Sequence, residues 1–436
     1  MPALDESNRV PSPRGRFVNK VLNASQIGVL AAVLLAGSPA LAAEKRSVPQ
    51  YDGRADTRGD GAFWIPRVLL APLWLVYECL VRIPIGAAVT AIEESATTQR
   101  AVHVLTFGSE KNAGLAPTFL VDRGMLPAVG GYFWWDDALV TGNHLRVHAV
   151  TWGAPLVLAT LSDRYDLDDR SSVSLTASFA RRRDNLYYGI GPDTPDGART
   201  RYRSRVIDVA PSYERELGRG VHLGTKAGVR DTAFVQPAAG YTIAYQHADL
   251  SFDTRSLGLH GAGVRAAVSS DGAFDFASTP KNSWFGYGAT LTGFWDIADS
   301  ARVVTLTATT QLVDPIARDG SIPFTELPTL GGYTTMRGFL PGRMIDRSAA
   351  AVTLGYQWPV WSFLDGELEA ATGNVFGAGL RGFEPGRLRF SGAVGLRTLS
   401  IPEAQLELLT GFGTDTFDQG GKISSFRLVF GATHGF

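Results

Sequence analysis

The feature that most constrains this chain is the alternation of apolar and polar side chains that recurs from residue 101 onward. In residues 303–312, Val304 and Leu306 share one face, and Thr305 and Thr307 share the other. Because successive side chains of a β-strand point to opposite faces, a period of two predicts strands. The same alternation occurs in residues 285–295, 351–358, 388–398 and 402–412. The pattern predicts an all-β body.

The composition excludes several classes of protein. The 436 residues carry 41 Lys and Arg against 42 Asp and Glu, so there is no basic excess to neutralise the phosphates of nucleic acid. A single cysteine, Cys79, cannot build a disulfide framework or a thiolate zinc site. With 45% hydrophobic and 19% charged residues, the chain is too apolar for intrinsic disorder. A folded β-protein with no nucleic-acid partner is the class that remains.

Two features favour a membrane barrel over a soluble β-sandwich, which also alternates. The polar faces carry Thr, Gln, Glu and Arg beside small residues, as a hydrated lumen would. Aromatic residues gather near strand ends, at 132–135, 284–285 and 358–361, which is typical of interfacial girdles. We therefore predict a transmembrane antiparallel β-barrel in residues 101–436. This region has room for fourteen, sixteen or eighteen strands of ~9–11 residues.

The N-terminus has the pattern of an export signal. Arg14, Arg16 and Lys20 precede the apolar run IGVLAAVLLA, and small residues end at Ala42. This order predicts a secretory signal peptide in residues 1–42. Cleavage is favoured over a retained anchor because the apolar run is about half the length that a spanning helix needs. Residues 43–62 are polar and are interpreted as a flexible linker.

Residues 63–100 contain the only long helical candidate. Pro66, Pro72 and Pro84 interrupt its apolar run, and proline breaks helix interiors, so two or three short helices are expected. Charged residues also interrupt the apolar surface. We expect an amphipathic segment at the membrane interface or docked on the barrel, with a bilayer-spanning helix as the alternative. Cys79 lies here and is interpreted as a small buried apolar side chain.

The C-terminal residues SFRLVFGATHGF alternate with an aromatic residue at the end. Phe426, Phe430 and the terminal Phe436 fall on one face, and Arg427 and Val429 fall on the other. This pattern resembles the β-signal by which outer-membrane barrels are recognised and inserted. It predicts that Phe430 and Phe436 form an insertion signal for the barrel-assembly machinery.

The segment TELPTLGGYTTMRGFLPGR, residues 325–343, carries the most specific motif. Its Met336, Arg337, Gly338 and Phe339 resemble the [VIL]-R-G-[FY] loop motif of the BamA/TamA superfamily, the bacterial surface antigen family. The resemblance implies a sixteen-stranded barrel. It also implies that the loop, near residues 325–345, folds into the lumen, where Arg337 meets acids on the inner wall. A buried guanidinium needs such partners, and its planar fork suits carboxylates.

The chain also departs from the family pattern. Where the family has an aspartate before the stretch GNVF, this sequence has Ala371. Alternation places Glu367 and Glu369 on the same face as Ala371, and we expect one of them to replace the missing acid. Residues 395–397 resemble the later G-x-R strand motif, and residues 187–192, YYGIGP, a loop common in these barrels. Residues 43–100 lack the pattern of POTRA modules, so a short member is expected.

The sequence offers no catalytic constellation. The G-x-G-x-x-G match at 377–382 is not followed by a helix within a βαβ unit, which a dinucleotide site needs. His144 and His148 are four apart in a strand-like run, about 13 Å from one another. The acidic residues within 163–169 are interpreted as a solvated loop, with weak calcium binding as the alternative. No catalytic residue, cofactor or resident metal is predicted.

The resemblance implies a non-enzymatic protein of the Gram-negative outer membrane. It would act in membrane biogenesis or in protein or lipid translocation, through the inward loop and a lateral seam between the first and last strands. Its partners would be outer-membrane lipids, the barrel-assembly machinery during insertion, and a polypeptide or lipid client. A passive or gated pore for small solutes is the alternative function.

Overall fold

The structure is a computed structural model that describes residues 105–108, 112–235, 240–255, 261–276, 282–297, 301–361, 364–398 and 406–432. The predicted signal peptide, linker and helical segment, with Cys79 and the terminal Phe436, lie outside the described residues. Among the residues described, no helix is long and apolar enough to span a bilayer.

In the described residues, sixteen long strands and the two-residue strand Thr106–Phe107 form one continuous antiparallel sheet. The long strands are β1 Ala113–Asp122, β2 Ala128–Asp136, β3 Asn143–Thr151, β4 Leu156–Asp168, β5 Ser171–Tyr187, β6 Thr200–Gly218, β7 Val221–Phe234, β8 Tyr241–Asp253, β9 Gly263–Asp275, β10 Trp284–Asp296, β11 Val303–Pro315, β12 Ser348–Trp361, β13 Leu364–Phe376, β14 Arg389–Thr398, β15 Leu406–Thr414 and β16 Ile423–Ala432. Each strand pairs with the next, and β16 pairs with β1. The sheet therefore closes into a sixteen-stranded barrel, which confirms the predicted fold class.

The alternation in the sequence corresponds to the two surfaces of the barrel. Leu306 and Leu354 are 44% and 51% exposed on the outer surface, in strands whose intervening residues point inward. Leu291, Leu368 and Leu408 are exposed in the same way. An apolar band of this kind is unfavourable in water and stable against acyl chains. The outer surface is thus built to face lipid.

The connections differ between the two ends of the barrel. The three longest described connections, residues 188–199, 316–347 and 377–388, all lie at one end, and two-residue turns at 169–170 and 219–220 lie at the other. In outer-membrane barrels the long connections are extracellular and the short turns periplasmic. We call these the outer end and the inner end.

The height of the wall varies around the barrel. Strands β5 and β6 are 17 and 19 residues long. Strands β14, β15 and β16 have 10, 9 and 10 residues, and β1, β2 and β3 have 10, 9 and 9. The low part of the wall is therefore centred on the junction between β16 and β1.

That junction, the seam, is held by a short ladder. Within the described residues, three residue pairs join β16 to β1, from Val429–Asp122 to Gly431–Leu120. The β5–β6 ladder, in contrast, runs from Ser171–Arg215 to Tyr187–Thr200. Gly431 has a φ of +134°, and a Cβ there would lie 2.0 Å from the Phe119 carbonyl oxygen. Only glycine allows this close approach.

Candidate functional site: the inward loop and the seam

The connection between β11 and β12, residues 316–347, turns into the lumen and is called the inward loop. Its neck is a two-residue ladder between Thr329–Leu330 and Met344–Ile345. Met336 and Phe339 at its tip are fully buried. They form one cluster, called the loop cluster, with Leu330 and Met344 of the loop and with inward residues of β12 and β13: Ala349, Ala351, Ala371 and Val375. The small side chains of the wall leave the space that the tip fills.

The motif glycine lies directly against the barrel wall. A Cβ on Gly338 would be 2.0 Å from the backbone oxygen of Phe412 in β15. The Gly338 N–H donates to the Ser391 hydroxyl at 2.9 Å, and its carbonyl accepts from the Ser425 hydroxyl at 3.0 Å. The tip therefore contacts the inner face of β14, β15 and β16. Met336, also at the tip, has a φ of +55°, a strained conformation for a residue with a side chain.

Arg337 lies among three carboxylates. Its Nη1 is 2.8 Å from Glu367 Oε1, and its Nη2 contacts the Glu407 carboxylate. Its backbone N–H points at Glu369 Oε1, 3.4 Å away. Of the two acids proposed from the sequence, Glu367 therefore faces the guanidinium, and Glu369 faces the loop backbone. Glu407 is a third acid; alternation placed it on the polar face of β15 but did not link it to Arg337.

The position of the missing family aspartate has a physical explanation. Ala371 is 1% exposed and belongs to the loop cluster, so a carboxylate there would lie among apolar side chains. The acids come instead from earlier in β13 and from β15. Arg397, from the G-x-R segment, extends the network: its Nη1 lies 3.8 Å from Glu367 Oε2, and its Nη2 donates to Gln357 at 2.7 Å.

A second arginine joins the loop to the seam. Arg427 of β16 is 1% exposed, and its Nη2 lies 2.8 Å from Asp122 Oδ2 at the end of β1. Its Nη1 donates to the backbone oxygens of Gly332 and Arg337 in the inward loop. Its guanidinium also stacks 4.5 Å from the centre of the Tyr333 ring. One side chain thus contacts both strands of the seam and the loop.

Tyr333 completes this arrangement. Its hydroxyl donates to Asp122 Oδ2 at 3.0 Å. Burial, and then the adjacent Asp122 carboxylate, raise the pKa of the Tyr333 hydroxyl, so it stays a donor across the physiological range. We call Asp122, Tyr333 and Arg427 the seam latch. No motif in the sequence pointed to it; the inward position of Arg427 was the only signal.

Two more buried arginines hold the outer end. Arg343 of the inward loop donates from Nη1 to the Thr194 hydroxyl and from Nη2 to the Thr194 carbonyl, both at 2.9 Å. Arg389 of β14 donates to the carbonyls of Pro192 and Thr194 at 3.1 and 3.2 Å. Burial lowers the pKa of the Arg343 guanidinium. The connection 188–199, which carries most of the YYGIGP segment, is therefore hydrogen-bonded to the inward loop and to β14.

The opposite half of the lumen is open. A cavity of about 840 Å³ lies beside the loop, lined mainly by hydroxyl and charged side chains of β2 to β8 and of the inward loop. In its wall, Arg230 is 2.8 Å from Asp208 and 3.3 Å from Glu326. The cavity has the character of a hydrated lumen.

The remaining residues considered from the sequence do not form a site. His144 contacts Asp136 and Asp166 at 2.7 and 3.1 Å, and His148 contacts Thr118 at 3.0 Å. Across the described part of the chain, no three His, Cys, Asp or Glu side chains converge as metal ligands. Residues 378–380 of the G-x-G-x-x-G match form a single 3₁₀ turn.

Phe430 of the proposed insertion signal lies at the seam on the outer face. Its ring meets that of Phe119 edge-on, with centroids 4.7 Å apart. Its partner in the proposal, Phe436, is outside the described residues. Phe426 and Leu428 are exposed on the same face as Phe430, and Arg427 and Val429 are buried on the other. The alternation expected for this strand is therefore present.

Comparisons with known proteins bear on the fold. No protein-family model and no curated protein matches this sequence. Among solved structures, BamA from Haemophilus ducreyi lacking POTRA domains 1–3 superposes with a TM-score of 0.55 at 11% identity, over 74% of this chain and 70% of that one. CdiB from Escherichia coli gives 0.50 at 12% identity, over 73% and 62%. CdiB from Acinetobacter baumannii gives 0.49 at 11%, over 73% and 59%.

This chain therefore spans about three fifths of the CdiB chains, and the likeness concerns the fold. The likeness to the BamA barrel agrees with the resemblance read from the MRGF segment. The chain has the fold of a BamA/TamA-type outer-membrane β-barrel.

Proposed function

We propose that this barrel acts, without catalysis, in outer-membrane biogenesis or in the translocation of a polypeptide or lipid. The client would pass or bind at the lateral seam between β1 and β16, and the inward loop would control that seam. The observation that carries the proposal is the contact set of Arg427, which joins β16, β1 and the loop through one buried guanidinium.

Energetic considerations support the seam as the opening. Its short ladder contributes few backbone hydrogen bonds, and separating two strands exposes edges that can pair with another strand. What opposes opening is the ion pair between Asp122 and Arg427, both about 1% exposed. Breaking a buried pair leaves uncompensated charge and is strongly unfavourable. A client that supplied new partners would reduce that penalty.

The docked loop supports the closed state. Arg337 holds the tip between Glu367 and Glu407, and the loop carbonyls of Gly332 and Arg337 accept from Arg427. If the tip left the wall, the two arginines would lose partners in the same movement. Loop docking and seam closure are therefore coupled.

The proposed partners follow from the same assignment. Phe430 with Phe436 would be read by the barrel-assembly machinery during insertion, after export through a signal peptide in residues 1–42. Residues 63–100 would lie at the membrane interface or on the barrel. A client, whether polypeptide or lipid, would meet the outer-membrane lipids at the seam.

A disulfide across the seam tests the proposal. Val121 and Phe430 are paired residues of β1 and β16, so Val121→Cys with Phe430→Cys in a Cys79→Ser background can lock the seam under oxidising conditions. Leu396→Cys with Leu408→Cys is the matched control, because these residues pair between β14 and β15. Phe430→Cys alone controls for the loss of the proposed insertion residue. In cells depleted of the native protein, we expect the seam-locked variant to alter outer-membrane protein and lipid composition until reductant is added. Unaltered composition with the seam locked would refute the seam mechanism.

A gated or passive pore for small solutes is the second candidate, and the cavity of about 840 Å³ favours it. Single-channel conductance separates the two functions. A large steady conductance that persists with the seam locked would support the pore. A closed channel, combined with the composition change above, would support the seam.

A further inference from the structure

The outer surface of the barrel carries a cationic patch at the outer end of β5 and β6. Its members are Arg181 and Arg183 of β5 and Arg203 and Arg205 of β6, all exposed, and we call it the arginine patch. The residue between the first two, Arg182, lines the lumen cavity instead. We propose that the arginine patch binds the phosphorylated headgroup of an outer-leaflet lipid. The proposal depends on the lipid-facing surface and not on the function of the seam.

The strand register concentrates the positive charge. Arg181 and Arg205 are directly paired across the β5–β6 ladder. Between the pairs Arg182–Ser204 and Asn185–Tyr202 the register shifts, so Arg203 faces a bulge that contains Arg183. Like charges directly opposite on antiparallel strands repel and destabilise the pairing. An anion bound between them would remove that repulsion.

The protein itself supplies little negative charge there. Arg205 lies 3.4 Å from Asp231, but both side chains are largely solvent-accessible, 52% and 41% exposed. For the other three members, no ion pair is recorded among the described residues. Asp184, in the same bulge, points inward and accepts a hydrogen bond from the Leu126 N–H at 2.6 Å. The adjoining connections at 152–155 and 235–240 contain no acid. In the connection 188–199, which joins β5 to β6, Asp193 lies 3.8 Å from Arg387 and Asp196 interacts electrostatically with Arg343, so both acids face other arginines.

The surface next to the patch is apolar. The pair Phe179–Ile207 lies immediately on its membrane side, followed by the exposed Leu175 and Val209. The exposed Trp152 lies in the adjoining connection between β3 and β4, and tryptophan is typical of the membrane interface. A headgroup on the patch would therefore place its acyl chains along the apolar band.

The depth of the patch also fits a headgroup. Arg182 pairs with Leu156, the first residue of β4, so the patch lies at the rim where the neighbouring strand begins. Clusters of Lys and Arg beside an apolar membrane surface recognise anionic headgroups. The planar guanidinium matches phosphate in a bidentate manner. Free phosphate would contact the arginine patch but not the apolar surface beside it. A lipid would contact both, and the site therefore favours a lipid.

Native mass spectrometry in neutral detergent can test the site. The full protein would be titrated with a diphosphorylated outer-leaflet glycolipid and with the same lipid after phosphatase treatment. The test variant is Arg181→Gln, Arg183→Gln, Arg203→Gln and Arg205→Gln together. The control is Arg170→Gln with Arg215→Gln, because both residues are exposed at the inner end of the same two strands.

We expect affinity for the phosphorylated lipid to fall roughly fivefold for each patch arginine removed, with the control pair unchanged. Equal binding of the phosphatase-treated lipid, or equal binding by the test variant, would overturn the proposal. Complete displacement by inorganic phosphate would also overturn it, since it would indicate a simple anion site. Heat-modifiability on a detergent gel reports folding; if the fourfold variant fails that check, Arg181→Gln with Arg205→Gln replaces it.

Discussion

Two ion pairs of the same kind lie in different parts of this barrel, one at the seam and one on β4. Arg427 and Asp122 at the seam, and Arg164 and Asp166 in the open half, both have an Nη2 to carboxylate oxygen distance of 2.8 Å. The side chains of the first pair are each 1% exposed, and those of the second are 53% and 36% exposed. Identical geometry thus occurs in two different dielectric environments.

The comparison teaches that burial, and not contact distance, decides what an arginine does here. In water an ion pair contributes little, because solvent screens it and both side chains lose freedom. Where the inward loop excludes water, the same pair must stay intact or leave a buried charge. The loop therefore divides the barrel into a dry half, with a fixed arrangement, and a wet half, whose exposed ion pairs can vary with little change in stability.

The largest expected effect is at the seam latch. Arg427→Ala leaves Asp122 buried without its guanidinium, and we expect the free energy of unfolding to fall by about 3–5 kcal/mol. Denaturant titration of the folded barrel in vesicles measures the change. Arg427→Met combined with Asp122→Leu should recover most of the loss, because no charge is then buried. If the free energy of unfolding of Arg427→Ala equals that of the native protein, this ion pair does not stabilise the dry half.

Arg337→Ala should have the next largest effect, a loss of about 3 kcal/mol. It leaves Glu367 and Glu407 close together, although Arg397 still faces Glu367. The expected readout is a lower unfolding temperature by heat-modifiability on a detergent gel. Adding Glu407→Gln should restore part of that temperature, since it removes one of the two like charges. An unchanged temperature in Arg337→Ala would show that this residue does not pin the loop.

Ala371→Asp distinguishes this barrel from the family pattern. Because Ala371 packs in the loop cluster with Met336 and Phe339, we expect the carboxylate to lower stability by about 1–3 kcal/mol. Ala371→Ser is the control of similar size. Denaturant titration again gives the free energy of unfolding. A stabilised Ala371→Asp variant would mean that Arg337 can reach this position, and that the cluster is less apolar than described.

Arg164→Ala should have the smallest effect. Its pair with Asp166 is exposed, so we expect a change in unfolding free energy within about 0.5 kcal/mol. Denaturant titration of Arg164→Ala and Arg427→Ala under the same conditions measures the contribution of the exposed pair and of the buried pair. A loss comparable to that of Arg427→Ala would remove the distinction between the dry half and the wet half.

Much of the fold could be predicted because its signal is local. Alternation depends only on neighbouring residues, and it put Leu306 on the face that the structure shows to be outward and separated Arg427 from the exposed Phe426. The family resemblance around Arg337 suggested that the loop turns into the lumen. The same resemblance narrowed the number of strands from fourteen, sixteen or eighteen to sixteen. Alternation further placed Glu367 and Glu369 on the inner face, although it could not decide which one faces the guanidinium.

What could not be predicted depends on contacts between distant parts of the chain. Glu407 reaches Arg337 because β15 lies beside β14 and β13 around the wall, and no spacing in the sequence encodes that distance. The latch joins Asp122 to Tyr333 across 211 positions. Alternation assigns a face to each residue but not a partner. The length of β5 and β6 could likewise not be predicted without the strand register. The same holds for the pairing of Arg181 with Arg205.

The contact between Asp122 and Arg427 joins residues separated by 305 positions. Almost the entire barrel must therefore be synthesised before Asp122 can form its ion pair. Contacts between residues so far apart in the sequence form slowly during folding. Until β16 has formed, the inward loop also lacks the Arg427 guanidinium that donates hydrogen bonds to its Gly332 and Arg337 carbonyls. The tip therefore docks and the sheet edges join in a single late folding event, after the chain is complete. A truncated product would carry the unpaired charge of Asp122 at its open edge.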